Sequence, residues 1–550
     1  MMLRFTIFLL TTLTLPCFAQ SDDDKTVRVF IFAGQSNMEG ADSKVQDIDR
    51  YPPFVGLGKP QTDVRFSYCL GRENKEQSDG WGDLKPVRNM VGPELSFARK
   101  VKRHIKAPIA IIKVAAGGTH LGGDWNPDEP SGFKMYPLAL EVVRKSLAEL
   151  DEQEIPYRVE GFMWHQGEND MFNEEYRKNY GANLKNYLAC WRRDLKLPKL
   201  KFYIGELCTK TIWGMDLRPR MYDISLGQRS VTESDPLAEY IPTSHVGVEI
   251  GNPVGLHYHY GTLGQLEHGW NYAYAYLRAI GVENIDWWPD PPGQTRFRRP
   301  PKKTTDRIRL FILAGHRNME GERAFGRELE ARSLLTTTGV SYRYNIGGGI
   351  RWSGWQMLEA AGLYETFGPE LSFGSILRRE LDDDLAIAKF THSGSQMNDW
   401  TPEGSVAKSR HVYPDFIKFI ETSVDQLKER GYSEVEVTGV FYHVGENEMS
   451  MPPYRKQAAK WLKSTIAQSR KDLGMPNLKW YVSQQKPTDH KNVNKIDVVA
   501  DIAKLAAEDE HMVHIKVFDP PKQDRRLVLD TKGIVWLGQQ LADVYLSVQQ

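Results

Sequence analysis

The chain contains two copies of one sequence unit, and this duplication restricts its fold more than any other feature of its 550 residues. Four segments of the first copy recur in the second: 29–40 as 310–321, 92–97 as 368–373, 110–113 as 386–389, and 159–169 as 437–447. The segments keep their order, and their separations stay between 276 and 281 residues. A tandem duplication with small changes of loop length produces this pattern. We therefore predict two domains with the same fold.

The boundaries of the two copies follow from composition. The stretch 287–306 is rich in proline, arginine and lysine, which is typical of an exposed linker. One domain is thus expected at 25–286 and the other at 307–550. Domains usually have roughly 100 to 250 residues, so each copy is long enough to bury a core of its own.

The N-terminus has the three regions of a secretory signal peptide. Arg4 precedes an apolar run at 5–15, and small residues follow around Ala19. The same run could be an ordinary buried strand, but its position favours a signal peptide at 1–20 and a secreted or periplasmic protein. No later stretch has the roughly 18 to 20 uninterrupted apolar residues that cross a bilayer, so we expect no membrane contact after cleavage.

The composition limits both the partners and the covalent stabilisation of the chain. Lysine and arginine number 71, as do aspartate and glutamate, so no net charge attracts a nucleic acid, and none is expected as a partner. Cys69, Cys190 and Cys208 remain after cleavage and can form at most one internal disulfide. The stability must therefore come mainly from packed cores.

The order of apolar and amphipathic segments predicts an α/β fold in each copy. In the first copy, short apolar runs with β propensity alternate with patterns of helical length. The runs lie at 27–32, 109–114, 159–164 and 201–204, and the helical patterns at 94–104, 136–150, 174–195 and 263–280. Nearly continuous apolar strands separated by helices indicate a parallel sheet covered on both faces. Functional sites in such sheets lie beyond the carboxyl ends of the strands.

Three polar motifs follow predicted strands of the first copy. The first, Gly-Gln-Ser-Asn-Met at 34–38, can expose the Ser36 hydroxyl at a sharp turn, although a serine there could also cap a helix. The second, Ala-Ala-Gly-Gly-Thr at 115–119, can direct backbone N–H groups at an oxyanion or form a plain tight turn. The third, at 164–170, contains Gln166 and Glu168. The Gln166 amide could donate to the same oxyanion. Glu168 could orient a neighbour, bind substrate or be a buried structural carboxylate.

These motifs, in this order, resemble the sialate O-acetylesterase and acetylxylan-esterase branch of the SGNH hydrolases (carbohydrate esterase family 6-like). The resemblance implies a flavodoxin-like, three-layer α/β/α domain that removes acetyl esters from sugars. It places the nucleophile on Ser36 and the oxyanion donors on Ser36, Gly118 and Gln166. Further residues of the motifs are expected to orient these groups or bind substrate: Gln35, Asn37, Glu168 and Trp125.

The base of that family is a histidine in an Asp-x-x-His stretch before the final helix. His259 lies three residues before Thr262, the expected N-cap of that helix, and is our first choice, with His257 as the rival. Leu256 stands where the aspartate is expected, so Glu249 or a backbone carbonyl would have to orient the imidazole. The two histidines could instead bind a metal with His165 or His268, but the spacing gives no support, and no metal or cofactor is expected.

The second copy lacks the residues that this chemistry needs. Arg317 replaces Ser36, Val444 replaces Gln166, and no histidine precedes the final helix at Asp530-Thr531-Lys532-Gly533. Arginine stays protonated and cannot attack a carbonyl. The second copy is therefore predicted to be a pseudoenzyme, whose retained Trp400 either serves the fold or stacks on a bound sugar.

The sequence thus predicts a secreted serine esterase that removes O-acetyl groups from a carbohydrate, a sialate or a polysaccharide. Two alternatives remain. In one, both domains are catalytically silent and bind carbohydrate. In the other, the first domain hydrolyses esters that are not carried by sugars.

Overall fold

A computed structural model of the chain describes eleven ranges: 25–207, 211–212, 215–243, 259–285, 293–294, 298–349, 351–405, 411–444, 455–485, 498–521 and 528–549. The expected signal peptide, Cys208, Glu249, Leu256 and His257 lie outside these residues, as do 287–292 and 295–297 of the expected linker.

Six strands of the first copy form a parallel sheet. They are β1 (Val27–Gly34), β2 (Gln61–Leu70), β3 (Ile109–Ala115), β4 (Tyr157–His165), β5 (Phe202–Gly205) and β6 (Ala238–Ile241). Their order across the sheet is β6-β5-β4-β1-β3-β2. Without the edge strand β2 this is the flavodoxin order. Two short strands, Glu76–Gln77 and Gly82–Leu84, pair antiparallel with β2 at that edge.

Helices cover both faces of this sheet, which confirms the predicted three-layer arrangement. They are α1 (Ser36–Glu39), α2 (Pro93–Lys102), α3 (Met135–Glu152), α4 (Glu174–Lys178), α5 (Tyr180–Asp194), α6 (Arg218–Ser234) and α7 (Gly261–Ala279). The side chains of β1 alternate between two cores: Phe30 and Phe32 pack with α2 and α7, whereas Val29 and Ile31 pack with α3, α5 and α6. A strand that is apolar on both sides is typical of such a central position.

The second copy repeats the fold. Its strands are β7 (Arg307–Gly315), β8 (Thr336–Ile346), β9 (Asp384–Thr391), β10 (Glu434–Val444), β11 (Trp480–Gln485) and β12 (Met512–Val517), in the order β12-β11-β10-β7-β9-β8. Its helices are α8 (Arg317–Glu320), α9 (Glu370–Glu380), α10 (Tyr413–Glu429), α11 (Ala458–Asp472), α12 (Val498–Glu508) and α13 (Thr531–Gln549). Short strands at the edge, Gly293–Gln294, Arg351–Trp352 and Gln356–Glu359, complete the sheet.

The pattern at 174–195, expected as one helix, is two helices in the structure. The Asn173 side chain caps α4 by accepting a hydrogen bond from the Tyr176 N–H at 3.1 Å. The chain then leaves α4 at Asn179, and α5 begins at Tyr180, whose buried hydroxyl donates to the Gln166 carbonyl at 2.7 Å. A tertiary contact thus fixes a break within a continuous helical pattern.

A buried ion pair behind the first strand recurs in both copies. Lys113 of β3 donates to Glu94 at 2.8 Å, and Lys389 of β9 donates to Glu370 at 2.9 Å, with all four side chains almost fully buried. Each ammonium also donates to the carbonyl that ends the short helix after the first strand, Glu39 in the first copy at 3.3 Å. Since a buried charge needs a partner, these pairs fasten the short helix to the sheet.

In the part of the chain that the structure describes, no helix is long and apolar enough to cross a membrane. Cys69 and Cys190 are buried free thiols, so they do not form the disulfide that the cysteine count allowed.

The two domains contact each other through polar and aromatic side chains. Arg218, the first residue of α6, is buried and donates to Asp399 of the second domain at 3.2 Å. On another side, the Tyr364 hydroxyl of the second domain donates to the carboxylate of Glu267 on α7 at 2.6 Å. Burial raises the pKa of Glu267 to about 7, with the Tyr364 hydrogen bond opposing this rise and the nearby Glu322 adding to it.

The Glu267 contact should make the stability depend on pH. Because the folded pKa of about 7 exceeds the ordinary value of 4.5, the folded chain keeps a proton that the unfolded chain releases between these two values. The free energy of unfolding should therefore fall by about 3 kcal/mol as the pH rises through that window, and level off above it. In Glu267→Gln this contribution should vanish.

Denaturant unfolding of both proteins at several pH values measures this difference. Glu141→Gln, on an exposed position of α3, is the control and should keep the pH dependence of the wild type. An unchanged pH dependence in Glu267→Gln would contradict the assignment.

Candidate active site

The carboxyl ends of three central strands lie side by side. Gly34, at the end of β1, is opposite Ala115 of β3 and His165 of β4. A Cβ atom on Gly34 would lie 2.0 Å from the His165 carbonyl oxygen, so only glycine allows this approach. The three predicted motifs therefore emerge at one edge of the sheet, at the point where the strand order reverses.

Ser36 is the first residue of the four-residue helix α1. Its side chain is partly exposed, whereas the neighbouring Gln35 and Asn37 are buried. A Cβ atom on Gly117 would lie 3.3 Å from the Ser36 Cβ, so a glycine there keeps the serine accessible. The Ser36 N–H points out of the helix N-terminus and makes no hydrogen bond within the described residues. The serine thus has the exposure of a nucleophile.

An open cleft of about 330 Å³ adjoins this turn. Gly117, Gly118, Glu39 and Arg72 contribute to its lining. Gly118 has a φ of +76°, which glycine adopts without strain, and its N–H makes no hydrogen bond to any described residue. The backbone at 117–118 can therefore present a donor to the cleft.

The Gln166 side chain does not face this cleft. It is fully buried, and its amide nitrogen donates to the Thr119 carbonyl at 2.9 Å and to Asp170 at 2.5 Å. Both protons of the amide have acceptors, so in this geometry Gln166 holds the turn rather than an oxyanion. The structure thus gives the Gln166 amide other partners than the oxyanion that the resemblance implied.

The Asn169 side chain, three residues after Gln166, lies near Gly118. Its amide nitrogen lies 3.8 Å from the position of a Cβ on Gly118, and its side chain makes no hydrogen bond within the described residues. The Asn169 backbone N–H donates to the Gln35 side-chain oxygen at 3.4 Å, as does the Gly167 N–H. Gln35 thus positions the turn that carries Asn169.

Asn37 connects the serine turn with two other parts of the site. Its amide nitrogen donates to Glu168 at 2.5 Å, and its oxygen accepts from the Tyr260 N–H at 3.1 Å. Burial by itself would raise the pKa of Glu168, but His165, with its nitrogen 3.6 Å away, and Asn37 outweigh burial and lower it. Glu168 is thus a buried, ionised carboxylate that orients Asn37 and is remote from solvent.

His259 directly precedes Tyr260, whose backbone N–H donates to Asn37. Its Nδ1 is 2.6 Å from the Oδ2 of Asp42, with side-chain exposures of 10% and 50% respectively. Asp42 lies three residues beyond the end of α1 and has a φ of +61°. The expected acid positions, Leu256 and Glu249, lie outside the described residues, as does the rival base His257.

Sequence reasoning missed Asp42, although the duplication contains a signal for it. Position 42 corresponds to Arg323 in the second copy, and the position of His259 corresponds to Val528. The acid and the imidazole are therefore lost together with the serine. Asp42 is one of several positions near Ser36 at which the two copies differ, so the duplication narrows the search for the acid to these positions.

Trp125 does not provide a stacking surface for a sugar, contrary to the possibility raised by the sequence. Its ring is fully buried against Trp164, and its N–H donates to the Thr119 hydroxyl at 2.9 Å. Trp400 in the second copy is equally buried and donates to Ser395 at 2.9 Å. Both rings support the turn after the third strand of their sheet.

The second copy keeps the supports and lacks the reactive groups. Asn318, the counterpart of Asn37, accepts from the Leu529 N–H at 2.8 Å, as Asn37 does from Tyr260. Arg317, in place of the serine, is nearly buried and pairs with Glu322 at 3.0 Å. A guanidinium held by a carboxylate fills the position at which a nucleophile would act.

The two arginines of the first-domain cleft differ in their partners. Arg88 donates to Glu39 and Glu76, both at 3.2 Å, which offsets its charge. Arg72 is exposed, lies over the Phe133 ring at 5.0 Å and has no carboxylate within 4.0 Å in the described part of the chain. Its guanidinium nitrogen lies 2.6 Å from the position of a Cβ on Gly118. The cleft lining thus contains two guanidinium groups and the carboxylates of Glu39 and Glu73, and Arg72 is the cation that lies beside Gly118.

The residues that could have formed a metal site are used otherwise. His165 lies 3.0 Å from the Tyr260 hydroxyl, and His268 packs its ring on Tyr272. Across the described ranges, no group of three or more histidine, cysteine, aspartate or glutamate side chains is arranged to hold a metal ion.

Comparison with known families gives a match to both copies. A family model described as carbohydrate esterase, sialic acid-specific acetylesterase matches residues 26–278 and, separately, residues 307–547. No curated protein sequence matches the chain significantly.

Similar solved structures each cover about half of the chain. A protein from Arabidopsis thaliana is 20% identical, with 46% of this chain and 98% of that chain covered and a TM-score of 0.35. NanS is 14% identical, with 47% and 99% covered and a TM-score of 0.36. A carbohydrate acetylesterase from Xanthomonas citri is 15% identical, with 49% and 59% covered and a TM-score of 0.33.

Proposed function

Because this chain belongs to the carbohydrate esterase family of sialic acid-specific acetylesterases, we propose that its first domain is a serine esterase that removes O-acetyl groups from a sugar. Ser36 is the nucleophile and His259 is the general base. The observation that carries the proposal is the Asn37–Tyr260 hydrogen bond, because it joins the chain neighbours of the serine and of the histidine. The Asp42–His259 pair at 2.6 Å supports the role of the imidazole.

Acyl transfer proceeds in two halves. In the first, the Ser36 Oγ bonds to the acetyl carbonyl carbon while its proton passes to the Nε2 of His259. The bond from that carbon to the sugar oxygen then breaks, and the sugar oxygen takes the proton from His259. In the second half, water attacks the acetyl-serine and gives a proton to His259. The bond to Oγ breaks, Oγ regains the proton, and acetate leaves.

Three donors surround the developing oxyanion. The backbone N–H groups of Ser36 and Gly118 and the side-chain amide of Asn169 have no acceptors among the described residues, and the Asn169 amide lies near Gly118. Preorganised donors of this kind stabilise the tetrahedral intermediate because they need no rearrangement during the reaction. Gln166 and Gln35 hold the turns that carry these donors.

Asp42 supplies the acid of the triad from an unexpected place in the chain. Its carboxylate accepts from the Nδ1 of His259, which orients the imidazole so that Nε2 is the nitrogen that takes the serine proton. It also stabilises the imidazolium that forms during each half of the reaction.

Arg72 favours a sugar that carries a carboxylate. The guanidinium lies at the cleft beside Gly118, and a planar donor fork of this kind pairs well with a carboxylate of the substrate. A sialic acid ester presents such a group near its acetyl esters, and the family description agrees with this choice.

The second domain takes no part in the acyl transfer as a nucleophile, since Arg317 stands in place of the serine and is paired with Glu322. The N-terminal segment 1–20 directs export, so the enzyme meets its substrate outside the cytoplasm.

Removal of the Ser36 hydroxyl tests the proposed reaction. The wild type should hydrolyse both p-nitrophenyl acetate and an O-acetylated sialic acid, and Ser36→Ala should lose at least about 10³-fold in kcat on both, with an unchanged circular dichroism spectrum. Turnover that survives in Ser36→Ala would move the nucleophile elsewhere. A wild type inactive on both esters would favour a binding protein, and a preference for long acyl chains would favour an esterase of other substrates.

Asn169→Ala tests whether the side chain of Asn169, rather than that of Gln166, donates to the oxyanion. Loss of one oxyanion donor should lower kcat on p-nitrophenyl acetate by about 10²-fold with little change in KM. Asn186→Ala, which removes an amide on the exposed surface of α5, is the matched control and should keep the wild-type kcat. A wild-type kcat in Asn169→Ala would mean that a group other than Asn169 donates to the oxyanion.

Arg72→Gln tests the preference for an anionic sugar. KM for O-acetylated sialic acid should rise by about tenfold, because a charge-assisted contact is worth roughly 1.5 kcal/mol or more, whereas KM for p-nitrophenyl acetate should not change. Arg65→Gln removes the same charge from an exposed position on β2 and should leave both values unchanged. Equal effects of Arg72→Gln on the two esters would contradict a contact with the carboxylate.

A further inference from the structure

Two aromatic residues of the second domain complete a hydrophobic core of the first. Phe325 and Tyr364 are only 1% and 5% exposed, and both pack within the cluster formed by α2, α7 and the segment 45–57 of the first domain. Tyr364 lies in the left-handed region of the backbone, with φ 60° and ψ 30°, and the next residue, Glu365, has a φ of +61°. Such conformations are unfavourable for these residue types and persist where the surroundings impose them. We call Phe325, Glu328 and Tyr364 the interdomain patch.

The patch contacts the segment that follows Asp42. Arg50 lies over the Phe325 ring at 4.9 Å and pairs with Glu328 at 3.3 Å. Tyr51 packs edge-on against Phe325, with ring centroids 5.5 Å apart. These residues belong to the short helix Val45–Arg50 and its continuation, which begin three residues after Asp42.

The patch also contacts the helix that follows His259. The Tyr364 hydroxyl donates to Glu267 on α7, where both groups are buried. Phe54 lies between the two elements, with its ring 4.5 Å from Trp270 of α7 and 6.1 Å from Tyr364. The second domain is therefore in contact with both elements that carry the acid and the base.

Hydrogen bonds between Lys44 and Thr262 join these two elements close to Asp42 and His259. The Lys44 N–H donates to the Thr262 hydroxyl at 2.8 Å, and that hydroxyl donates to the Lys44 carbonyl at 3.1 Å. Asp42 precedes Lys44 by two residues, and His259 precedes Thr262 by three. A displacement of the segment 45–54 relative to α7 would therefore change the distance between the carboxylate and the imidazole.

We propose that Tyr364 is a positioning residue for the reaction of the first domain, so that the inactive second copy holds Asp42 and His259 in alignment. The proposal rests on the proposed function of the first domain. It gives the second domain a role that requires neither a nucleophile nor a bound sugar. The patch touches the supports of the acid and the base and does not line the cleft, so it should affect kcat and leave KM unchanged.

A double-mutant cycle with Tyr364→Ala and Asp42→Asn tests this role in the full chain. On p-nitrophenyl acetate, Tyr364→Ala should lower kcat by about tenfold and change KM by less than about twofold. Asp42→Asn should lower kcat at least as much. The double variant should have the kcat of Asp42→Asn alone, because both changes act on the same alignment.

Matched variants separate positioning from a general loss of stability. Tyr413 of the second domain donates to Asp472 at 2.7 Å, which is the same chemistry as the Tyr364–Glu267 contact at a place remote from the patch. Tyr413→Ala should lower the melting temperature and keep the wild-type kcat. Tyr364→Phe, which keeps the ring and loses the hydrogen bond to Glu267, should fold and show an intermediate fall in kcat.

Three results would overturn the proposal: a wild-type kcat in Tyr364→Ala, an equal loss of kcat in Tyr413→Ala, or a tenfold loss caused by Tyr364→Ala that persists in the Asp42→Asn background. Each of these leaves the assignment of Ser36 intact. Failure of the proposed function itself is recognised separately, by turnover in Ser36→Ala.

Discussion

The two hydrogen bonds of the Asn37 side chain are the interaction on which the site depends. One bond goes to the buried carboxylate of Glu168 at the end of β4, and the other comes from the backbone of Tyr260 at the start of α7. Three segments that are far apart in the sequence thus meet at one amide group. A buried amide left without partners is unfavourable by roughly 1 to 3 kcal/mol, so arrangements in which Asn37 loses these partners are strongly disfavoured. This bond joins the chain neighbours of Ser36 and His259, which lie 223 residues apart in the sequence.

The two copies separate what the fold requires from what the chemistry requires. The second copy retains the buried Lys389–Glu370 pair and the Asn318 contact to the start of the last helix. It has lost the serine, the imidazole and the acid, and Arg317 and Glu322 have taken the place of the nucleophile. The features that survive are therefore structural in both copies. In our account the second copy retains a function through its surface, because Phe325 and Tyr364 belong to the core of the first domain.

Much of the fold was predicted from the sequence, because the periodicity of apolar residues shows which side chains of a strand or helix are buried. The duplication, the parallel sheet and its central strands were predicted, since those strands are apolar on both faces. The strand Gln61–Leu70 was not predicted, because it lies near the sheet edge and has polar residues at several positions. The helix Arg218–Ser234 was also missed, since Gly227 weakens its helical pattern.

The site was predicted less completely, for a related reason. Spacing located the turns that carry Ser36, Gly118 and Gln166, but it did not indicate that the Gln166 side chain is buried or that the Asn169 side chain lies near Gly118. Nor does spacing report that Asp42 and His259, 217 residues apart, lie in contact. The burial of Trp125 shows the same limit, because a tryptophan after a strand can be a core residue or a binding surface, and only the packing around it decides.

Direct observation of the acyl-enzyme tests the central claim of this account, that Ser36 carries the acetyl group between the sugar and water. Protein mixed with excess p-nitrophenyl acetate, quenched in acid within milliseconds and digested, should yield the peptide containing Ser36 with the added mass of one acetyl group. The corresponding peptide with Arg317 should carry none. An acetyl group found on another residue, or rapid turnover with an unmodified Ser36 peptide at every quench time, would contradict the account.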